Sequence, residues 1–245
     1  MPTKRLLVIG GDAAGMSTAS QARRMKGPEE LEIVAFERGP RTSYAACGLP
    51  YFVEGIVEPA EKLVARTPEQ FAKRDIEVHT GHEVTGIDTA ARTLEVVQLA
   101  SGTTRTESWD ELVIGTGASG IKPPMPGIDS DGVMQLRTID DGIDLDRRIR
   151  DGARRAAVVG AGYIGIEVAE NLKEAGYTVN LVEALPQVLS IYDDDMVQIL
   201  HKTLDDHGVD VVLSDKVTSF EKDAVLLASG RKIHADAVVM AIGVR

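Results

Sequence analysis

Cys47 is the single cysteine among 245 residues and lies in the stretch SYAACGLPYF, residues 43–52. A lone thiol cannot close a disulfide within its own chain. It is either an inert small hydrophobe or a nucleophile whose sulfur partner comes from outside. Two glycine clusters also have the spacing to do chemistry. One is Gly10, Gly11 and Gly15 in VIGGDAAG, and the other is Gly160, Gly162 and Gly165 in VVGAGYIG. In a GxGxxG turn the first glycine makes the bend, the second lets the backbone approach a pyrophosphate, and the third packs helix on strand. The second cluster carries the full pattern. The first has Asp12 in the place of the second glycine, with Gly11 beside it as the candidate to supply the slack. A carboxylate there is unfavourable to a pyrophosphate unless it points away.

The elements that must position these residues repeat. Leu6–Ile9 is an unbroken apolar run, as in a strand buried on both faces. A helical pattern follows from Ala13 to about Arg24, then a second buried strand, LEIVAFE, ending in Glu37. The same order returns as a strand at Ala156–Val159, a helix over 163–175, the strand YTVNLV and Glu183. An acid ending the second strand accepts hydrogen bonds from a ribose hydroxyl, and the helix N-terminus supplies N–H groups to phosphates. Between the units, residues 76–98 read as a meander of short strands. ELVIGTGASG reads as a buried strand entering a Thr-Gly turn. The prolines of IKPPMPGI exclude helix or central strand and mark a passage between domains. Residues 138–150 and 193–206 read as helices and 208–241 as four strands, while SDGVMQL carries no functional signal. The predicted fold is α/β, with two Rossmann-like dinucleotide-binding domains, 1–118 and 119–245, each with a β-meander.

Composition narrows the functions. A net charge of -11 argues against a nucleic-acid surface. No apolar run approaches the roughly 20 residues of a membrane helix, and the basic start leading into a glycine turn is not a signal peptide. Five scattered histidines and one cysteine give no metal-ligand spacing, so no metal is expected. The expectation is a soluble cytoplasmic protein without nucleic-acid or membrane partners.

With both repeats and the cysteine stretch taken together, the chain resembles the pyridine nucleotide-disulfide oxidoreductases. The resemblance rests on VIGGDAAG, SYAACGLPY, VIGTGA, GAGYIGIEVAE, LVE and AIGVR and covers essentially the whole chain. It is closest to the single-cysteine branch of coenzyme A-disulfide reductases, NADH oxidases and NADH peroxidases. The resemblance implies FAD at Gly10, Gly11, Ala14, Gly15, Glu37, Arg38, Thr116 and Gly117. It implies NAD(P)H at Gly160, Gly162, Tyr163, Ile164, Gly165 and Glu183. Tyr163 matches the family's gate over the flavin, and Glu167 its residue beside the nicotinamide. Glu183, with no arginine at 184–186, favours NADH. Cys47 falls where the family starts a helix, whose N-terminus favours a thiolate.

One cysteine must pair with an outside sulfur or cycle through sulfenic acid. The first route is reduction of a coenzyme A disulfide, persulfide or polysulfide; the second is reduction of oxygen or peroxide. Ser17, Gln21, Arg24 and Ser43 match positions that face coenzyme A in the family, and Arg23, Arg24 and Lys26 offer a cradle for its 3′-phosphate-ADP. Ala46 departs from an asparagine found there in coenzyme A-reducing members. The family's chain is longer, so a second FAD segment and a C-terminal dimer domain are expected outside these residues. The full-length form is expected to be a homodimer. The 245-residue chain is expected to bind NADH weakly and FAD poorly. A non-catalytic dinucleotide-binding module is the remaining alternative.

Overall fold

In the computed structural model, which describes residues 2–245, the first apolar run forms β1 (Lys4–Ile9). Next come α1 (Ala13–Met25) and β2 (Leu31–Glu37). A 3₁₀ turn at Ala46–Gly48 leads into α2 (Leu49–Glu54), and a second 3₁₀ turn covers Ala60–Leu63. The chain continues through α3 (Pro68–Ala72), β3 (Glu77–Thr80), β4 (His82–Asp88), β5 (Thr93–Gln98), β6 (Thr103–Ser108) and β7 (Glu111–Ile114). The later part contains β8 (Val133–Met134), α4 (Ile139–Arg150), β9 (Arg155–Val159), α5 (Tyr163–Glu174) and β10 (Thr178–Val182). It ends with α6 (Asp194–Asp206), β11 (Asp210–Val212), β12 (Val217–Glu221), β13 (Ala224–Leu227), β14 (Lys232–His234) and β15 (Ala237–Met240).

Contacts divide the chain into two units. The first holds residues up to Ala45 together with Val64–Gly117; the second holds Ala46–Leu63 together with Ala118–Arg245. In the first, a parallel sheet runs β3-β2-β1-β7 and a separate antiparallel meander runs β4-β5-β6. Alternation along β1 and β2 feeds two cores. Leu6, Val8, Ile33 and Ala35 face Met16 and Ala19 of α1, while Leu7, Ile9, Val34 and Phe36 face Leu94 and Val96 of β5. Strands covered on both faces must be apolar at every position, which explains their unbroken runs. The second unit repeats the plan, with a sheet ordered β11-β10-β9-β15-β8 and a meander β12-β13-β14. Val159, Val182, Val238 and Met240 share a core with Val225, Leu227 and Ile233 of that meander.

Four expectations differ from the structure. The segment 46–63 does not belong to an unbroken first domain. Leu49 and Phe52 of α2 pack against α4 at Gly142, whose missing side chain makes the room: a Cβ there would lie 3.2 Å from both. β3 is not part of the meander, because it pairs in parallel with β2. The 208–241 region forms five strands rather than four, the last of them central in the sheet. β7 is an edge strand among the described residues, and Ile114 is 61% exposed rather than buried. SDGVMQL supplies β8, the opposite edge of the second sheet.

Candidate functional site

Both glycine turns are built on the same backbone plan. Gly10 has φ +103° and Gly160 has φ +102°. A Cβ on Gly15 would stand 1.9 Å from the Gly10 carbonyl oxygen, and one on Gly165 would stand 1.8 Å from that of Gly160. Only glycine lets the helix start so close to the turn. The strand-end acids complete each turn. Glu37 accepts hydrogen bonds from the N–H of Gly11 and of Gly39, both at 2.7 Å. Glu183 accepts from Ala161 at 2.7 Å and Leu185 at 3.0 Å. Each carboxylate is thus fixed at the mouth of a glycine turn, with lone-pair directions left for further donors.

The equivalence runs past the motifs. Ser43 and Leu189 have φ +49° and +43°. The N–H of each donates at 2.9 Å to a carbonyl of its glycine turn, Gly11 for Ser43 and Ala161 for Leu189. Neither α1 nor α5 has a side-chain cap at its N-terminus. Their first N–H groups keep the arrangement that suits an anion. Asp12 is turned away from that role, with its carboxylate accepting from the Tyr44 N–H at 3.2 Å. This removes the objection its charge raised. The buried Thr42 hydroxyl donates to the Gly11 carbonyl and pins the same loop.

In the second unit a cleft of about 650 Å³ opens over the glycine turn, within the range of small-molecule sites. Gly160, Gly162, Tyr163, Ile164 and Glu183 line it. No atom lies within 4 Å of the place a Gly162 side chain would take, so the open side of that residue faces free space. Tyr163 is 58% exposed, and its hydroxyl lies 2.7 Å from that of Tyr192, the rings meeting edge to face. This hydrogen bond holds the Tyr163 phenol above its ordinary pKa. Glu167 lies half-buried one turn along α5, outside the residues that line the cleft.

The remaining expected residues fall in separate places. Ser17, Gln21 and Arg24 share an exposed face of α1, where Arg24 donates to the Gln21 side-chain oxygen from Nε at 3.0 Å and Nη2 at 2.8 Å. Arg23 is no phosphate ligand. Its guanidinium donates to the carbonyls of Lys26, Leu31 and Asp75 and ties the end of α1 to β2. Ala14 is exposed at the start of α1. Arg38 pairs with Glu83 at 3.5 Å. Thr116 and Gly117 follow β7, with Gly117 at φ +68°. Cys47 is exposed on the 3₁₀ turn before α2. Sequence reasoning missed Tyr192, Asp215 and Lys216, the last two of which line the second cleft. No local signal marks Tyr192 or Lys216, since a hydrogen bond and a bulge between separate segments set their places. Among the described residues no group of three or more acidic, histidine or cysteine side chains could hold a metal, and no helix is long and apolar enough to cross a membrane.

The family model of the pyridine nucleotide-disulphide oxidoreductases matches residues 4–245. The chain belongs to this family. It is 36% identical over 247 residues to an NADH oxidase of Methanocaldococcus jannaschii, covering 98% of this chain and 54% of that protein. It is 34% identical over 244 residues to a coenzyme A disulfide reductase of Staphylococcus haemolyticus, again covering 98% and 54%. The structure of reduced Bacillus anthracis CoADR-RHD superposes with a TM-score of 0.96 at 35% identity, over 100% of this chain and 44% of that one. The chain therefore spans about half the length of these relatives. The fold is that of the FAD/NAD(P)-binding enzymes, two nucleotide-type units each with its own glycine turn and acid.

Proposed function

We propose that the protein carries electrons from NADH through FAD and Cys47 to a disulfide or persulfide substrate such as coenzyme A disulfide. The observation that carries this reading is the conjunction of two acid-clasped glycine turns with one exposed thiol. The residues fit both dinucleotides. Glu37 and Glu183 stand ready for ribose hydroxyls, and the uncapped starts of α1 and α5 for pyrophosphates. FAD, when bound, relays two electrons between the nicotinamide and the sulfur.

The steps of the chain's own residues then balance. The Cys47 thiolate attacks one sulfur of the disulfide, the S–S bond breaks, and one coenzyme A thiolate leaves. A mixed disulfide joins Cys47 to the second coenzyme A. Two electrons from NADH cleave it, with a proton from solvent, giving the second thiol and the Cys47 thiolate again. The exposure of Cys47 suits attack on an external substrate. Tyr163 covers or opens the nicotinamide end of the cleft, and its bond to Tyr192 sets its resting position. Gln21 and Arg24, already joined, offer an amide and a guanidinium to the substrate's polar end.

The competing reading passes through a Cys47 sulfenic acid and reduces oxygen or peroxide. A binding module without turnover is the third. One assay separates them: NADH oxidation by the whole protein with coenzyme A disulfide, polysulfide, oxygen and peroxide side by side. Thiol release from coenzyme A disulfide, abolished by Cys47→Ser with flavin retained, supports the proposal. Turnover with oxygen or peroxide alone favours the second reading, and no turnover with any acceptor the third.

A further inference from the structure

The two units share their local plan but differ in charge at one corner of the second unit's cleft. β2 and β3 pair with Phe36 opposite His79, and β10 and β11 pair with Val182 opposite Val212. The chain then turns through a left-handed residue in each unit, Gly81 at φ +67° and Ser214 at φ +56°. The N–H of Gly81 donates to the Gly39 carbonyl and that of Ser214 to the Leu185 carbonyl, each at 3.0 Å. A register shift follows at the same point, between Val84 and Gly86 and between Val217 and Ser219. Glu83 and Lys216 are therefore the same position in the two units, fixed by a turn before and a bulge after.

In the first unit that position faces the residue after the strand-end acid, since Arg38 and Glu83 pair at 3.5 Å. In the second unit the residue after the acid is Ala184, which brings no charge, and the residue across from it is Lys216. The cation has changed walls. Lys216 lines the cleft together with Glu183 and Ala184, is exposed, and has no ion-pair partner among the described residues. It is also the sole cation among the described residues lining that cleft. Asp215 lines the cleft too, but its carboxylate is occupied by Ser229, through the N–H at 3.1 Å and the hydroxyl at 2.5 Å. Glu183 is the acid that meets a ribose in a dinucleotide fold. Lys216 lines the same cleft, so a phosphate on that ribose would meet a cation there.

We propose that Lys216 is a specificity-determining residue that admits a 2′-phosphate at the ribose end of the second cleft, so that this unit accepts NADPH as well as NADH. The inference rests on the reading of this cleft as the pyridine-nucleotide site. Glu183 alone would reject the phosphate; Lys216, lining the same cleft, offsets that repulsion. Absence of an arginine after the acid is then not a sign of strict NADH use.

The test uses half-nucleotides, which report on this corner without flavin or turnover. The 245-residue chain is titrated calorimetrically with 2′,5′-ADP and with 5′-AMP, as wild type, Lys216→Ala, Lys216→Arg and Lys216→Glu. The expected result is a loss of about fivefold for 2′,5′-ADP in Lys216→Ala, the upper end for an exposed ion pair. Lys216→Glu should lose more, Lys216→Arg should retain binding, and 5′-AMP should be unaffected throughout. The wild-type affinity for 2′,5′-ADP should fall with salt more steeply than that for 5′-AMP. Equal effects on both ligands, or none on either, overturn the role of Lys216 and leave the nucleotide site standing. Failure of both ligands to bind the wild type overturns the site and the inference with it.

Discussion

The Glu183 carboxylate accepts the N–H groups of Ala161 and Leu185 and so serves the turn before it serves any ligand. Glu183→Ala removes both charge-assisted bonds and the ribose acceptor together. NADH affinity should fall about tenfold, since one such bond is worth about 1.5 kcal/mol or more. NADPH affinity should fall less, because the repulsion of its phosphate goes too. Fluorescence titration with both nucleotides checks this, and unchanged NADH binding would refute it. Tyr177 presents the opposite case, a polar group with nothing to do. It is 2% exposed and its hydroxyl has no hydrogen-bond partner among the described residues. Burial pushes its pKa up to about 12. The fold thus prefers the neutral phenol. The stability this contributes is present below about pH 10, the ordinary phenol pKa. It is lost as pH rises toward about 12. Tyr177→Phe should remove that alkaline loss and leave stability at neutral pH equal or raised by up to about 1 kcal/mol, with a melting temperature to match. A clear drop in melting temperature at pH 7 would show that the hydroxyl has a partner after all. The two acids could be read from residue type and local spacing, whereas Cys47 was singled out as reactive only through the resemblance of its stretch. Tyr192 and Lys216 were not legible, because their places are set by a hydrogen bond and a bulge that join segments distant in the chain.

At the scale of elements, the two glycine turns separate folding from binding. Gly165 cannot take a side chain, because a Cβ would strike the Gly160 carbonyl, which is backbone and cannot yield cheaply. Gly165→Ala should cost about 3 kcal/mol or more in unfolding free energy. Gly162 has the ordinary backbone φ of −78° and open space where a side chain would go. Gly162→Ala should therefore fold within about 0.5 kcal/mol of wild type. Its methyl projects into the cleft, however, so NADH binding should fall at least tenfold. Chemical denaturation and nucleotide titration of both variants make the comparison, and equal stability losses would sink it. The strand-turn-helix-strand units could be read from the sequence because turn glycines and helical period are local signals. β3 and β7 could not be read fully. β3 is assigned by its pairing with β2, some 40 positions earlier, and the exposure of β7 by its place at the sheet edge. Neither property belongs to the segment's own composition.

At the scale of the whole molecule, chain order and packing disagree. Residues 46–63 come early in the sequence, yet α2 packs on α4 and α5 of the second unit. Phe52 is 5% exposed and meets α4 where Gly142 leaves room for it. Glu54, at the end of the same helix, has its carboxyl pKa raised by burial and by Glu174 and Glu170 of α5. The 3₁₀ turn that carries the lone thiol leads into this helix, which is thereby anchored to the unit that bears the cleft. Phe52→Ala should open a cavity and cost about 3 kcal/mol or more. The loss should appear in the second unit and not in the one that flanks it in sequence. Native-state hydrogen exchange reads this directly. Protection should fall at Val158 and Leu181, in β9 and β10, while Leu7 and Val34, in β1 and β2, keep theirs. All four are buried strand residues, so their amides report on their own sheets. Loss of protection centred on β1 and β2 would mean that α2 belongs energetically to the first unit. The helix that follows the thiol would then be held by the flanking sequence instead of by α4 and α5.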